Sequence, residues 1–435
     1  MDRTDSPLNW VLFILIALLP LQNIYIGKVP TLGAGLNLLN ILILVAFFVW
    51  RSRKDLAVPT NSELNKPVII FMGILAFSVI VRFITLGKSD TEILSKLKDM
   101  LIPTFLFFIV LNSVRDRRGI IYALAASWLP LPYMFYVFRA QLSSVMSWHY
   151  SDNLRAVKGT FMELGSNEMA AFYASYTIIL LTVFCFLKDT KVRVTLFFLT
   201  IINLYCVVYS HSRGAYLSFL AAVLWVGWCY NKKLVLTLIP ALLLLGAPML
   251  TFFPVSVQER FEMIQVEEGK ERDQSAASRF VFWGYAFEEF QKSPIVGRGL
   301  LTFKELNPRK MDSHNYYIRL LAEQGLVGII CFLIVLWRAS KMTLALYREA
   351  KDPLYKALGL GMAGCVASLA VGNMFGDRFS HYPLISYFWI YLALVVRALY
   401  LVREDEQALV VQPILRKPIS LRKGKAFVSR TVHTQ

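Results

Sequence analysis

The sequence predicts an all-α polytopic membrane protein. Three features support this fold class: the composition, the length of the apolar blocks and the placement of the basic residues. Of the 435 residues, 56% are hydrophobic and 17% are charged, whereas soluble domains carry more charge and fewer apolar residues. The composition therefore argues against a cytosolic enzyme. The apolar residues form long blocks, and about twelve spans of ~20 residues would use a little over half of the chain.

The predicted spans are the apolar blocks whose length approaches the thickness of a bilayer. They lie at 9–26, 33–50, 67–84, 100–113, 119–139, 168–187, 194–210, 214–230, 234–253, 325–340, 356–375 and 384–402. Because the number of spans is even, both termini are expected on the same side of the membrane.

The loops between the spans alternate between short basic loops and loops of mixed charge. The basic loops lie at 51–54, 115–118, 188–193, 232–233 and 338–356. Since short basic loops favour the cytoplasmic side, these loops and both termini are expected in the cytoplasm. Topology thus explains much of the net charge of +17, and no nucleic-acid partner is predicted.

The span pattern divides the chain into four predicted regions. Residues 1–253 contain the first nine spans, and residues 254–324 form an extramembrane loop domain on the outer side. Residues 325–402 contain the last three spans. Residues 403–435 form a basic cytoplasmic tail.

The outer loop domain contains one predicted amphipathic helix, at residues 275–292. Phe280, Trp283, Phe287 and Phe290 recur at spacings of three and four, which places them on one aromatic face. Such a helix is expected either at the membrane interface or packed on the helix bundle.

Four of the five histidines fall on outward loops or at outward span ends. They are His149, His211, His314 and His381. Histidine is the side chain best suited to proton transfer near neutral pH, so the outer face is the predicted location of a site. The histidine spacings match no metal motif and the five cysteines are scattered through apolar blocks. Neither a metal nor another cofactor is therefore predicted.

Six arginines lie on the side of the membrane where the charge bias predicts few: Arg213 at a span end, and Arg260, Arg272, Arg279, Arg298 and Arg309 in the long outer loop. Arg213 interrupts a short polar hinge, 209–216, between two spans, and a charge at that depth marks a candidate functional residue. Snorkelling to the lipid headgroups is the alternative role. Arg279 lies beside the aromatic face of the helix at 275–292, where a cation–π contact or snorkelling is the alternative role.

Three segments resemble, in order, the core of the O-antigen ligase and polymerase superfamily. The first is Ser210-His-Ser-Arg213-Gly-Ala. The second combines Arg279-Phe-Val-Phe-Trp283 with Pro294-Ile-Val-Gly297-Arg-Gly299. The third runs from His314-Asn-Tyr-Tyr through Glu323-Gln-Gly325-Leu-Val-Gly328.

This similarity extends over about residues 155–340. A weaker upstream segment runs from Arg155 to Asn167, where the family's usual Asn-Pro-Asn reads Gly165-Ser166-Asn167.

The resemblance implies a GT-C-like glycosyltransferase acting on the periplasmic face of the bacterial inner membrane. Its donor would be a glycan linked to undecaprenyl diphosphate, presented from membrane lipid. An O-antigen ligase would transfer that glycan to a hydroxyl of lipid A–core, whereas a polymerase would extend a second lipid-linked glycan. The ligase is the leading interpretation and the polymerase the alternative. A transporter or flippase of lipid-linked glycans is the rival from another class, although it would distribute charged residues along its spans.

The resemblance also implies roles for individual residues. Arg213 and Arg279 would hold the donor diphosphate with bidentate, charge-assisted hydrogen bonds. His314 would accept the proton of the acceptor hydroxyl or bind the diphosphate, and nearby arginines should lower its pKa. An ordinary position in a helix-capping loop is the alternative for His314. The implied substrate-binding residues are Arg155, His211 and Asn315.

Two further groups have a predicted structural role. Asp377, Arg378 and His381 form an outward loop, for which a salt bridge within the loop and acceptor binding are the two alternatives. Glu323 and the glycines at 325 and 328 are expected to serve helix entry and close packing.

Overall fold

The computed structural model describes nine ranges of the chain. They are residues 7–26, 38–52, 61–87, 91–162, 164–233, 235–237, 239–240, 251–262 and 274–415. All regular secondary structure within these ranges is helical, so the predicted all-α class is confirmed. Most of the predicted span at 234–253 lies outside the described residues, as do residues 33–37 of the second predicted span and the tail from residue 416.

Sixteen α-helices are described. They are α1 (Pro7–Leu18), α2 (Gln22–Tyr25), α3 (Leu38–Ser52), α4 (Asn65–Leu86), α5 (Thr91–Ser113), α6 (Arg117–Trp128), α7 (Leu131–Val145), α8 (Ser166–Phe186), α9 (Thr190–Val208), α10 (Arg213–Tyr230), α11 (Val255–Glu262), α12 (Gln274–Lys292), α13 (Phe303–Leu306), α14 (Tyr316–Glu349), α15 (Pro353–Gly372) and α16 (Tyr382–Leu415). A 3₁₀ turn at Asp152–Ala156 precedes α8.

The chain is a polytopic membrane protein by the length and hydropathy of its helices. Among the described residues, seven helical segments are long and apolar enough to span a bilayer: Asn65–Leu86, Arg117–Val145, Ser166–Phe186, Thr190–Val208, Tyr316–Glu349, Pro353–Gly372 and Tyr382–Gln407. Two shorter apolar helices lie at Asn9–Leu18 and Leu38–Arg51. The predicted blocks at 100–113 and 214–230 are also helical. The described residues thus contain seven of the long apolar helices that the prediction of twelve spans requires, and the number twelve stays a prediction.

Small residues bring the central helices α8, α10 and α15 into close contact. A Cβ added at Gly364 would lie 2.6 Å from the Val226 side chain of α10 and 3.0 Å from Ile178 of α8. A Cβ at Gly361 would lie 2.9 Å from the backbone of Ile179. Glycine at these positions lets helix backbones approach, as membrane helices commonly require.

Ion pairs join the basic loops at one end of the bundle, which we call the basic end. Arg117 Nε lies 2.6 Å from Asp352 Oδ2, and Arg403 Nε lies 2.8 Å from Glu349 Oε2. Arg338 also pairs with Glu63. The predicted topology places all of these loops on one side. The compartment that this end faces stays a prediction.

The predicted amphipathic helix is present as α12, but its aromatic face is not the face that packs on the bundle. Phe280 is 68% exposed and Phe287 is 53% exposed. The buried side carries Phe282 and Ala286, which pack against Phe303. Where apolar surface faces lipid, an aromatic stripe need not mark the side that contacts protein.

Candidate active site

Five helix ends meet at the end of the bundle opposite the basic end, and we call this the site end. They are the starts of α8, α10, α14 and α16 and the end of α15. Ser212 Oγ donates to Asn167 Oδ1 at 2.9 Å, which links α10 to α8. Tyr316 N donates to the Asn373 carbonyl at 2.8 Å, which links α14 to α15. These bonds hold the helix ends, and therefore the side chains on them, in fixed positions.

His314 lies on a tight turn directly before α14. Its φ is 51°, a left-handed conformation that is uncommon outside glycine and often found at functional sites. The next residue, Asn315, caps the helix, because its Oδ1 accepts from Tyr317 N at 3.0 Å and Ile318 N at 3.2 Å. Trp283 Nε1 of α12 donates to the Ser313 carbonyl at 3.0 Å. The turn is thus fixed from both sides while His314 stays exposed.

The surroundings of His314 lower its pKa. Desolvation by the crowded surroundings is the main cause, and the positive charges of Arg279 and Arg378 add to it. Asp312 and Glu168 act in the opposite direction. The predicted downward shift is confirmed in direction, although burial contributes more than the arginines. The structure therefore brings His314 and Arg279 into one electrostatic environment.

Arg213 is the first residue of α10, with Ser212 at the N-cap position. The following residue, Gly214, packs on the loop between α15 and α16: a Cβ there would lie 3.1 Å from Phe375 Cβ and 4.0 Å from Arg378 Nη2. Arg378 in turn acts on the pKa of His314. A helix N-terminus and an arginine both attract anions, so this position suits a phosphate-bearing substrate.

A glycine-dependent crossing supports the far end of α12. Gly297 and Gly325 have φ values of 70° and 63°, and a Cβ on Gly297 would collide with the backbone of Gln324. Leu326 N donates to the Pro294 carbonyl at 2.8 Å, so the loop satisfies a backbone group that the helix kink at Gly325 releases. The predicted packing role of Gly325 is confirmed, whereas Gly297 had no predicted packing role.

Comparison with known proteins identifies the segment that carries these features. Residues 196–333 match the O-antigen ligase family. The chain is also 26% identical over 171 residues to a Rickettsia conorii protein named as a polysaccharide ligase, and this covers 36% of the chain and 41% of that relative's length. The predicted resemblance is confirmed. The match contains Arg213, Arg279 and His314, whereas Arg155 lies before it.

A second cluster surrounds His211. His211 is 1% exposed and has a φ of 53°. Its Nε2 lies 3.1 Å from Ser256 Oγ, and its ring centroid lies 5.9 Å from that of Tyr150. Burial lowers the pKa of His211 to about 4, and Arg260 and Arg155 contribute to this shift. The predicted substrate-binding residues Arg155 and His211 therefore lie close together.

Two buried arginines were not among the predicted site residues. Arg378 is 2% exposed and donates through Nη1 to Glu168 Oε1 at 2.7 Å. Arg319 pairs with Asp377 and, through Nε, with Glu323 Oε2 at 3.2 Å. Buried charges require such partners. The predicted salt bridge within the loop at 377–381 is wrong: Arg378 pairs with Glu168 and Asp377 pairs with Arg319, and both partners lie outside the loop.

No group of three or more His, Cys, Asp or Glu side chains suited to a metal is found among the described residues. The positive charges that act on His314 belong to Arg279 and Arg378.

Proposed function

We propose that this protein is an O-antigen ligase that transfers a glycan from undecaprenyl diphosphate to a hydroxyl of lipid A–core. The observation that carries the proposal is the exposed His314 in the field of Arg279, within a segment that matches the O-antigen ligase family. The proposal includes a GT-C-like architecture of twelve spans. It also places the site end at the periplasmic face of the inner membrane, with both termini and the basic end in the cytoplasm.

The two arginines bind the leaving group in this proposal. The anomeric C–O bond to the donor diphosphate breaks and a glycosidic bond forms from the same carbon to the acceptor oxygen. Negative charge then accumulates on the departing undecaprenyl diphosphate. Arg213 and Arg279 stabilise it through planar, charge-assisted hydrogen bonds, and Arg213 also has the positive end of α10 behind it.

His314 removes the proton of the acceptor hydroxyl. A base must be neutral before it acts, and the lowered pKa keeps His314 neutral at pH 7. Its exposure leaves room for an acceptor sugar. The competing role, in which His314 binds the diphosphate, would leave proton removal to a different residue.

Arg155, His211 and Asn315 complete the proposed substrate site. Arg155 is half-buried and lies beside Tyr150, where a guanidinium can bind sugar hydroxyls or phosphates. Asn315 uses its Oδ1 to cap α14, so only its amide NH₂ can serve substrate. His211 is enclosed, and its part is to support the turn that leads into α10.

The test is reconstitution of the full-length protein in proteoliposomes with a glycan linked to undecaprenyl diphosphate. Lipid A–core and a second lipid-linked glycan are offered together. The proposal expects glycan on lipid A–core and release of undecaprenyl diphosphate, with His314→Ala as the inactive control. Elongation of the lipid-linked glycan would instead identify a polymerase. Movement of the glycan across the membrane without a new covalent product would identify a transporter.

A further inference from the structure

A lipid-facing groove of about 820 Å³ lies between α4 and α14, far from the His314 turn along the helix axis. Its walls are two stripes with a spacing of four residues, which places each stripe on one helix face. One stripe is Lys66, Ile70 and Ile74, and the other is Leu326, Ile330, Ile334 and Arg338. Each stripe is apolar along most of its length. Each ends in a cation, Lys66 or Arg338, at the basic end of the bundle.

The cations lie at the depth of lipid headgroups. Trp337 is 54% exposed beside the groove, and Arg338 and Lys341 lie over its ring at 5.0 and 4.9 Å. Tryptophan concentrates at the membrane–water interface. The basic mouth of the groove is therefore at the interface, and its isoleucine walls extend from there into the hydrocarbon region.

The dimensions fit the acyl chains of one leaflet. Leu326 and Arg338 are separated by twelve residues, or roughly 18 Å of helix, and half of the hydrocarbon core is about 15 Å thick. The volume is within the range of specific ligand pockets, roughly 300–1,000 Å³.

The charges at the mouth favour an anionic headgroup. Glu63 pairs with Arg338 and neutralises it in part. Lys66 is exposed, and within the part of the chain that the structure describes it has no acidic partner. Basic pockets between spans at the cytoplasmic side are recognised sites for anionic lipid headgroups.

We propose that this groove binds an anionic phospholipid, with its phosphate at Lys66 and Arg338 and its acyl chains along Ile70, Ile74, Ile330 and Ile334. The inference does not depend on the proposed glycan transfer. It rests on the two stripes, their shared cationic end and the tryptophan that sets their depth.

The experiment counts lipids retained by the purified full-length protein in native mass spectrometry after titration with phosphatidylglycerol or phosphatidylcholine. The wild-type protein should retain more phosphatidylglycerol than phosphatidylcholine. Lys66→Ala should weaken this binding about fivefold, since one cation near a membrane surface is worth about 1 kcal/mol. Lys351→Ala is the matched control, because Lys351 is an exposed lysine at the same end outside the groove.

Ile330→Trp fills the groove without changing any charge, and it should remove the retained lipid while Arg338 and Glu63 stay in place. Equal retention of the two phospholipids would overturn the proposal, as would equal effects of Lys66→Ala and Lys351→Ala. Retention of added undecaprenyl diphosphate that Ile330→Trp abolishes, with phosphatidylglycerol unaffected, would assign the groove to the donor's prenyl chain and also overturn it.

Discussion

The two histidine turns at the site end share a backbone conformation and differ in their surroundings. His314 and His211 have φ values of 51° and 53°, and each stands two residues before a helix begins. His211 is enclosed by Ser256 and the ring of Tyr150. His314 is exposed and lies among charges of both signs.

This difference shows that backbone strain alone does not identify a catalytic histidine. The left-handed turn redirects the chain into a helix at both positions. Only at His314 does the same turn present the ring to solvent, within reach of the electrostatic influence of Arg279. Arginines lie near both histidines, so solvent access is what separates the candidate base from a histidine whose part is structural.

The largest expected difference is between the alanine variants of these histidines. His314→Ala should lower turnover by about 10²–10⁴-fold, the usual scale for loss of a general base, with donor binding retained. His211→Ala should reduce turnover far less and destabilise the protein by about 1–3 kcal/mol, because it removes a buried, packed ring. Turnover, donor binding and thermal unfolding are measured on both variants. Equal losses of turnover would show that the comparison is wrong.

The next largest effect concerns the arginines. Arg213→Lys and Arg279→Lys keep the charge but lose the planar fork, so each should lower turnover by roughly 10–10²-fold while expression is maintained. Arg309→Lys, at an exposed position of the same outer region, is the control and should behave like the wild type. Full activity of both site variants would remove diphosphate binding from the proposal.

The sequence predicted the residues that sit on short motifs and missed those that depend on distant contacts. Gly325 was recognisable because close packing at a helix entry needs a small residue, whereas its partner Gly297 lies in a separate loop and had no predicted packing role. Arg378 and Glu168 are 210 positions apart, and no local pattern connects them. Arg319 and Glu323 carried a usable signal, an i,i+4 pair at the start of a span. The packing face of α12 was left open, because an aromatic face suits either the membrane interface or the bundle.

Acid pH should lower the folding stability of the protein through protonation of His211. Its pKa is about 4 in the folded protein and about 6.5 when unfolded, so the unfolded state binds more protons between these values. Stability is fully present above about pH 6.5 and falls as the pH drops towards 4. Thermal unfolding across this window should show a steeper fall for wild type than for His211→Asn. Identical slopes would show that His211 is not the titrating group.

A smaller effect should appear in the pH dependence of turnover. His314 must be neutral to act, so turnover falls on the acid side as His314 is protonated. Asp312 raises the pKa of His314, and Asp312→Asn should therefore move this acid limb to lower pH. Asp152→Asn, near Tyr150 in the other cluster, is the matched control. An acid limb that moves upward, or moves equally in both variants, would mean that His314 does not set it.

The smallest expected effect is that of a chelator. In the proposed function, the guanidiniums of Arg213 and Arg279 neutralise the departing diphosphate, and their charge and hydrogen bonds serve the function that Mg²⁺ serves in other phosphate chemistry. Turnover of the purified protein in excess EDTA should therefore equal turnover without it. Arg279→Lys supplies the sharper comparison: if Mg²⁺ restores its activity but leaves the wild type unchanged, the metal is replacing the lost guanidinium contacts. A wild-type loss in EDTA that Mg²⁺ or Mn²⁺ reverses would show that arginines alone do not stabilise the leaving group.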